Sequence, residues 1–423
     1  MQRSPADETE LVWLEVDRGQ AQNRNKQVEH RTRLERTILV RVVDRRRVGS
    51  HRTGIANIGE LEGAIRFAMA QSRSREPLPG MLHLPADEAS TEISAKLWDP
   101  EIAKLDRDRL KSIYRPWLGQ RGTMQLHWAK AHVAVFNSRG IRRQVAVTAV
   151  GGDARIGRRP GGGHAAGAAR TLEGLAAEQI FEQARRRHAS GPVADLPDSA
   201  VTLVLSPEAT TQLCDILNRV ALSAVAYYHG SSFLREHLDV QVFDRSFNLR
   251  DDGTDPRGLY FPFDLEGTPK RPVHLIHKGT AKTPALDQRQ AAQLGLTPTA
   301  HAIGGNDSRA MNLFLEPGEL TEEELLQTAG DGVWIGWLDE VECFEPARVQ
   351  IRARGRGVRR IASGQLAEGL PDLVWEDSLL RALANLPGVG ATTVQRLSHD
   401  GFLGGTSAPS LVITEVSGLS TAE

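Results

Sequence analysis

An α+β chain of two domains is the fold class the sequence predicts, and three observations carry the prediction. Strand-like segments fill the first fifty residues and give way to an amphipathic helix. A segment near residue 190, "HASGPVADLPDSA", has the composition of a linker and precedes a short apolar run, "VTLVLSP". Beyond it, short strands alternate with Gly/Pro turns and few helices. At 423 residues the chain is also longer than one core ordinarily serves. The expected layout is a mixed strand–helix N-terminal domain over 1–190, a linker over 191–199, and a mainly antiparallel β domain over 200–423.

Each element has its own signal. "ELVWLEVDRG", the polar "QAQNRNKQVEHRTRLE" and "RTILVRVVDRRRVG" read as three successive strands, the last with Ile38, Val40 and Val42 in alternation. Ile58, Leu61, Ile65, Phe67, Ala68 and Met69 then mark a helix with one buried face. A second helix is expected over Arg107 to Leu118, followed by period-two alternation in "MQLHWAKAHVAVFNSRG" that ends in a turn at Asn137 to Gly140. The stretch "GGDARIGRRPGGGHAAGAAR" is expected to be a mobile loop, because so much glycine raises the entropy cost of ordering it. Helices are expected over Leu172 to Arg187, Glu208 to Val225 and Glu322 to Thr328. No internal repeat is evident.

Bulk properties narrow the function. Lys+Arg 52 against Asp+Glu 53 leaves a net charge of -1, which argues against a surface that tracks nucleic acid throughout. Cys214 and Cys343 are isolated and form no CxxC pair, so a reducing compartment suits them better than a disulfide framework. "MQRSPADETE" is polar where a secretory signal needs an apolar core, and no uncharged apolar run approaches the ~20 residues of a membrane span. A cytoplasmic location without membrane attachment is the expectation.

The chemistry-bearing candidates centre on "DDGTDPRGLYFPFDLEGTPKRP", from Asp251 to Pro272. Calcium ligation fails, since an EF-hand count from Asp251 puts Pro256 at the glycine position and Pro262 at the glutamate position. Asp264 and Glu266, two apart, would share one face of a strand, where mutual repulsion can raise one pKa for acid/base work. Acids two apart are equally the mark of a solvated strand edge, and Asp-Gly and Glu-Gly steps are turn chemistry. No histidine is followed by glutamate. His127 and His132, and likewise His274 and His277, would face opposite sides of a strand, and His229 and His237 lack a third ligand. There is no G-x-S-x-G elbow, Cys214 sits among Leu213, Ile216 and Leu217, and no glycine loop carries the strand–turn–helix context of a phosphate cradle.

The order of several pieces resembles the TldD/PmbA family over roughly residues 10 to 416. They are "VTLVLSPEATTQLC", "YYHGSSFL", "DDGTDPRG", "FDLEGTPKRPVHLIHKG" and "GGTSAPSLVITEV", with "ILVRVVDRRRVGSHRTG" and "NSRG" upstream. The resemblance implies a peptidase of two related subunits with a largely enclosed interior, acting on small unfolded peptides. In that family the TldD-type subunit holds zinc through an HExxxH helix and a later cysteine, and the PmbA-type (TldE) subunit lacks these ligands. Here the first histidine and the glutamate fall near Asp215 and Ile216 and the second histidine near Val220, while "SHDGFLGGTSAPSL" carries no cysteine. His399 and Asp400 are conceivable substitute ligands or plain surface.

The resemblance therefore implies a PmbA/TldE-like subunit with no catalytic residue and no cofactor of its own. Zinc is expected in a TldD-like partner; a heteromer is expected, with a homodimer open. A basic hairpin departs from the family: Arg352, Arg354 and Arg356 alternate, opposite Ile351 and Ala353. Such a row suits carboxylate or phosphate, and equally a charge-protected edge strand. Asp251, Asp252, Asp264, Glu266 and the three arginines are thus the candidate contacts to peptide or partner. The alternatives are a metal-independent hydrolase using Asp264 and Glu266, or a binding module using the arginine row.

Overall fold

A computed structural model describes residues 4–24, 26–54, 58–78, 83–89, 96–157, 161–189, 191, 193–197, 200–304, 307–398 and 402–422. Its first half is a six-stranded antiparallel sheet built from β1 (Glu8–Arg24), β2 (Gln27–Asp44), β3 (Arg47–Thr53), β4 (Thr123–Asn137), β5 (Arg142–Ile156) and β6 (Gly163–Ala169), in the order β3-β2-β1-β4-β5-β6. Three strands do open the chain, but the polar stretch expected as a separate strand is the outer part of the β1–β2 hairpin, where Arg24 faces Gln27. Helices α1 (Ile58–Arg73), α2 (Pro100–Ala103), α3 (Arg107–Tyr114) and α4 (Ala177–Arg187) accompany the sheet. Helix α4 starts later than expected because residues 171–175 form turns and Ala176 is left-handed (φ 49°).

Most of the glycine-rich stretch is strand rather than loop. Residues 151–156 and 163–169 belong to β5 and β6 and pair along their length. Glycine is selected there by close packing: a Cβ on Gly163 would lie 1.9 Å from the Ala184 carbonyl oxygen of α4. Gly49 stands in the same relation to α1, where a Cβ would meet the Ala68 carbonyl oxygen at 1.9 Å. Two copies of a three-strand, one-helix unit, β1–β2–β3–α1 and β4–β5–β6–α4, therefore meet at the β1–β4 seam. The repeat escapes the sequence because backbone geometry, rather than residue identity, is what the copies share.

The second half begins on β7 (Val201–Leu205), whose Leu203, Val204 and Leu205 are wholly buried, and continues into α5 (Pro207–Val220). Ser206 caps α5 by accepting the Ala209 amide, and Pro207 stands where its missing N–H is not needed. The helix ends at Val220, short of the expected Val225, and a separate turn of helix follows over Ala224–Tyr228. A ten-stranded, mostly antiparallel sheet has the strand Gly405–Val416 beside β7, and a four-stranded sheet carries Trp337–Glu345, Gln350–Arg356, Leu373–Ser378 and Leu419–Thr421. The class is α+β, as expected. No helix among the described residues is long and apolar enough to cross a membrane.

The halves share a core. Phe261, Phe263 and Leu265, alternating along the stretch before Gly267, pack with Val12, Leu39, Val133 and Val135 of the first sheet. Three buried arginines reach across as well. Arg41 pairs with Glu266, and Arg187 holds Glu208 with 2.8 Å bonds to both oxygens. Arg170 donates to the carbonyls of Leu259, Tyr260 and Phe402 with no carboxylate beside it among the described residues, and burial drops its pKa to about 9.

Candidate functional site

The acids of the opening candidate stretch are brought together but turned inward. Asp251 is fully enclosed: Lys270 and His301 lie 3.0 Å from Oδ2, while the Met311 and Asn312 amides each donate to Oδ1 at 2.7 Å. Burial opposes its charge, but Lys270 and His301 win and hold the carboxyl well below the usual range. Asp252 accepts from Thr254 and from Arg250 at 2.7 Å. Asp264 is buried with both oxygens taken by the amides of Glu266, Thr268 and Ala302. These groups therefore frame turns and do not open toward a peptide or a second chain.

Asp264 and Glu266 sit in different surroundings. Burial first, then the Glu266 charge, lifts Asp264 to about 7, while Glu266 is bound to Arg41 and to the Gln288 amide at 3.0 Å. Reach is the obstacle, since a proton donor has to lie within hydrogen-bond distance of its substrate. Glu266 borders a cavity of about 330 Å³ with Glu10, Arg41 and Asp287, but Asp264 lies outside that lining. Sequence reading missed Glu10, Arg41 and Asp287, because residues from β1, β2 and the N-cap of the helix Gln288–Leu294 converge only in the folded chain.

The arginine row lies on one face of Gln350–Arg356, with Ile351 and Ala353 buried on the other, as alternation requires. The strand is internal, flanked by Trp337–Glu345 and Leu373–Ser378, so the expectation of a protected edge is corrected. Each arginine is answered within the sheet: Arg352 by Glu376 at 2.7 Å, Arg354 by Glu340 at 3.0 Å, and Arg356 by Asp339 at 3.2 Å and by Asp372. Such a row offers no continuous cationic face to nucleic acid.

One histidine pair departs from expectation. His274 and His277 have ring centroids 4.8 Å apart, because the pairing of Leu249 with Ile276 and of Arg250 with His274 skips Leu275. That extra residue shifts the parity of the strand. Even so, no group of three His, Cys, Asp or Glu able to hold a metal exists among the described residues. His399 and Asp400 lie outside them. Cys214 is buried, which pushes its thiol up and leaves it an inert packing group.

The most distinctive concavity lies over α5. A cavity of about 400 Å³ is lined by Asp215, Asn218 and Arg219 of that helix, by Arg309 and Met311, by Asp339 and Glu340, and by Arg396 and Thr406. Arg396, Leu397 and Ser398 also line a neighbouring cavity of about 390 Å³, with Arg18, His127, Trp128 and Asp153. Asp215 is half-buried and accepts the Thr406 hydroxyl. Burial lifts its carboxyl to about 6, against the pull of that bond and of Arg396, Arg219 and Arg309. Only Arg219, four residues after Asp215 and hence on the same helix face, left a signal in the sequence.

This is also where the resemblance placed a zinc helix, and the residues do not fit zinc. A catalytic site needs three protein donors and a water. Asp215 is one donor, Ile216 is aliphatic and buried, Val220 packs against the core, and three guanidinium groups would repel a divalent cation.

An antiparallel sheet and a mixed sheet share one core, with a groove over a capped helix, in a two-part α+β chain. Residues 198–418, just over half of the chain, match the family model described as "PmbA/TldA metallopeptidase C-terminal domain". The chain belongs to the TldD/PmbA family. It is 28% identical over 209 residues to a metalloprotease of Methanothermobacter thermautotrophicus, covering 46% of this chain and 44% of that one. It is 27% identical over 169 residues to a metalloprotease of Archaeoglobus fulgidus, covering 39% and 40%. The chain thus spans less than half the length of these curated relatives.

Solved structures resemble it almost end to end. A candidate modulator of a DNA gyrase from Thermotoga maritima gives a TM-score of 0.83 at 19% identity, covering 98% of this chain and 96% of that one. TldE from Thermococcus kodakarensis gives 0.81 at 18%, covering 97% and 96%. At such identities the likeness speaks for the fold.

Proposed function

We propose that this chain is a TldE-like, non-catalytic subunit of a TldD/TldE-type peptidase. It holds an unfolded peptide in the groove over α5 and leaves hydrolysis to a zinc-bearing partner in the cytoplasm. The observation that carries the reading is the substitution of the zinc position: Asp215, hydrogen-bonded to Thr406, stands among Arg219, Arg309 and Arg396. A cavity of this size, lined by both guanidinium and carboxylate groups, suits binding a peptide, and with the zinc position so substituted it has no means to activate a metal-bound water.

The test is elemental analysis and peptidase assay of the purified chain, alone and mixed with a TldD-type subunit. The expected result is sub-stoichiometric zinc and turnover only in the mixture. Stoichiometric zinc with proteolysis by the chain alone would overturn the proposal. Metal-free proteolysis that disappears in the Asp264→Ala/Glu266→Ala double variant would instead establish the metal-independent hydrolase.

A further inference from the structure

The charges around the α5 groove go further than peptide holding. Of the carboxylates lining it, Asp339 is matched by Arg356 and Glu340 by Arg354, so two members of the arginine row quench the wall of the groove. Arg309 has Asp307 at 3.5 Å. Arg396 has only a loose approach to Asp153 at 3.8 Å, and its Nη1, shielded from solvent, finds no acceptor among the described residues. Arg219 is exposed and makes no ion pair among the described residues. Arg219 and Arg396 thus both act on the carboxylate of Asp215 across a cavity of about 400 Å³.

A shielded donor without an acceptor carries a desolvation cost that a ligand oxygen removes. Guanidinium forks are shaped for the planar oxygens of a carboxylate. The geometry points to the groove over α5 as a receptor for the C-terminal carboxylate of an extended peptide, gripped by Arg396 and Arg219. The residues upstream of that terminus then run past Leu397 and Ser398 into the cavity beside Trp128. This inference rests on the peptide-holding reading above and adds which end of the peptide is held. An acidic side chain presents the same group, and the experiment separates the two sources.

The experiment is fluorescence anisotropy of the full chain with one N-terminally labelled hexapeptide in three forms: free acid, C-terminal amide, and amide with an internal glutamate. The free acid is expected to bind about tenfold more tightly than the amide, as one charge-assisted contact implies. Arg396→Gln and Arg219→Gln should each bring the two forms to within about twofold, with thermal unfolding of the exposed-site Arg219→Gln unchanged as the control for folding. Equal binding of acid and amide to the unaltered chain would overturn the carboxylate receptor while leaving peptide holding intact. If the internal-glutamate amide binds as tightly as the free acid, the assignment to the C-terminus is overturned. Failure of all three peptides to bind, alone and with a TldD-type subunit, would overturn both readings.

Discussion

Replacing Arg41 by methionine tests the buried charge cluster between the halves. Arg41 bonds Glu10 at 2.9 Å and Glu266 from its other terminal nitrogen, with all three side chains at most a tenth exposed. Removing one partner of a buried pair costs ~3–5 kcal/mol, because the remaining charge is stranded. For a cooperative unit of 423 residues that corresponds to a fall in melting temperature of roughly 3–6 °C. The loss must depend on pH. Burial lifts Glu10 from 4.5 to about 7 even with Arg41 opposing it, and lifts Asp264 and Asp287 from 3.8 to about 7.

Carboxyls raised in this way bind protons more tightly when folded. Their stabilising contribution is fully present below the unfolded values near 4 and is lost as pH rises through about 7. A lift from 4.5 to about 7 amounts to something on the order of 3 kcal/mol for Glu10 alone. At pH 5 Glu10 therefore carries a proton and needs Arg41 less. Differential scanning fluorimetry of the parent and Arg41→Met at pH 5 and pH 8, at one scan rate, should show the larger deficit at pH 8. An equal deficit at both, or none at pH 8, would refute the reasoning.

Asp251→Ala strands the buried Lys270 and a hydrogen-bonded His301, and should cost about 3–5 kcal/mol by urea denaturation at pH 7. Because Asp251 is held below its ordinary range, that deficit should shrink as pH falls below about 4. Arg352→Ala, at an exposed pair, should change stability by under about 1 kcal/mol, whereas Arg356→Ala removes a buried cation from two carboxylates and should cost at least ~2 kcal/mol. Gly49→Ala and Gly163→Ala both push a methyl into a helix carbonyl and should each cost ~1–3 kcal/mol, with similar losses because the two contacts are alike.

Much of the fold was legible because periodicity reports which face is buried. The strand of β2, the α5 cap and the α+β order follow from local pattern, although residues 38–43 of β2 are buried on both faces rather than one. What local pattern hides is the reason for a residue's presence. The glycines of β5 and β6 read as disorder because the helix that presses on Gly163 lies some twenty residues away. Turn chemistry marked Asp251 and Asp264, but only the folded chain brings Lys270, His301 and Ala302 to them. Likewise the shift of His274 depends on a skipped partner across the ladder. The groove was the least legible part, since Arg309 and Arg396 meet Asp215 from distant segments with no spacing rule between them.

The guanidinium crossings at Arg41, Arg170 and Arg187 carry a lesson about where this molecule can be divided. The match to the family's C-terminal-domain model begins at residue 198, yet severing the chain there would hand Glu208 and Glu266 back to water and leave the carbonyls of Leu259, Tyr260 and Phe402 without their donor. Phe261, Phe263 and Leu265 would lose their apolar roof at the same cut. Evolutionary bookkeeping and mechanical integrity therefore draw different borders, and the downstream part on its own is a poor candidate for an autonomous folding unit.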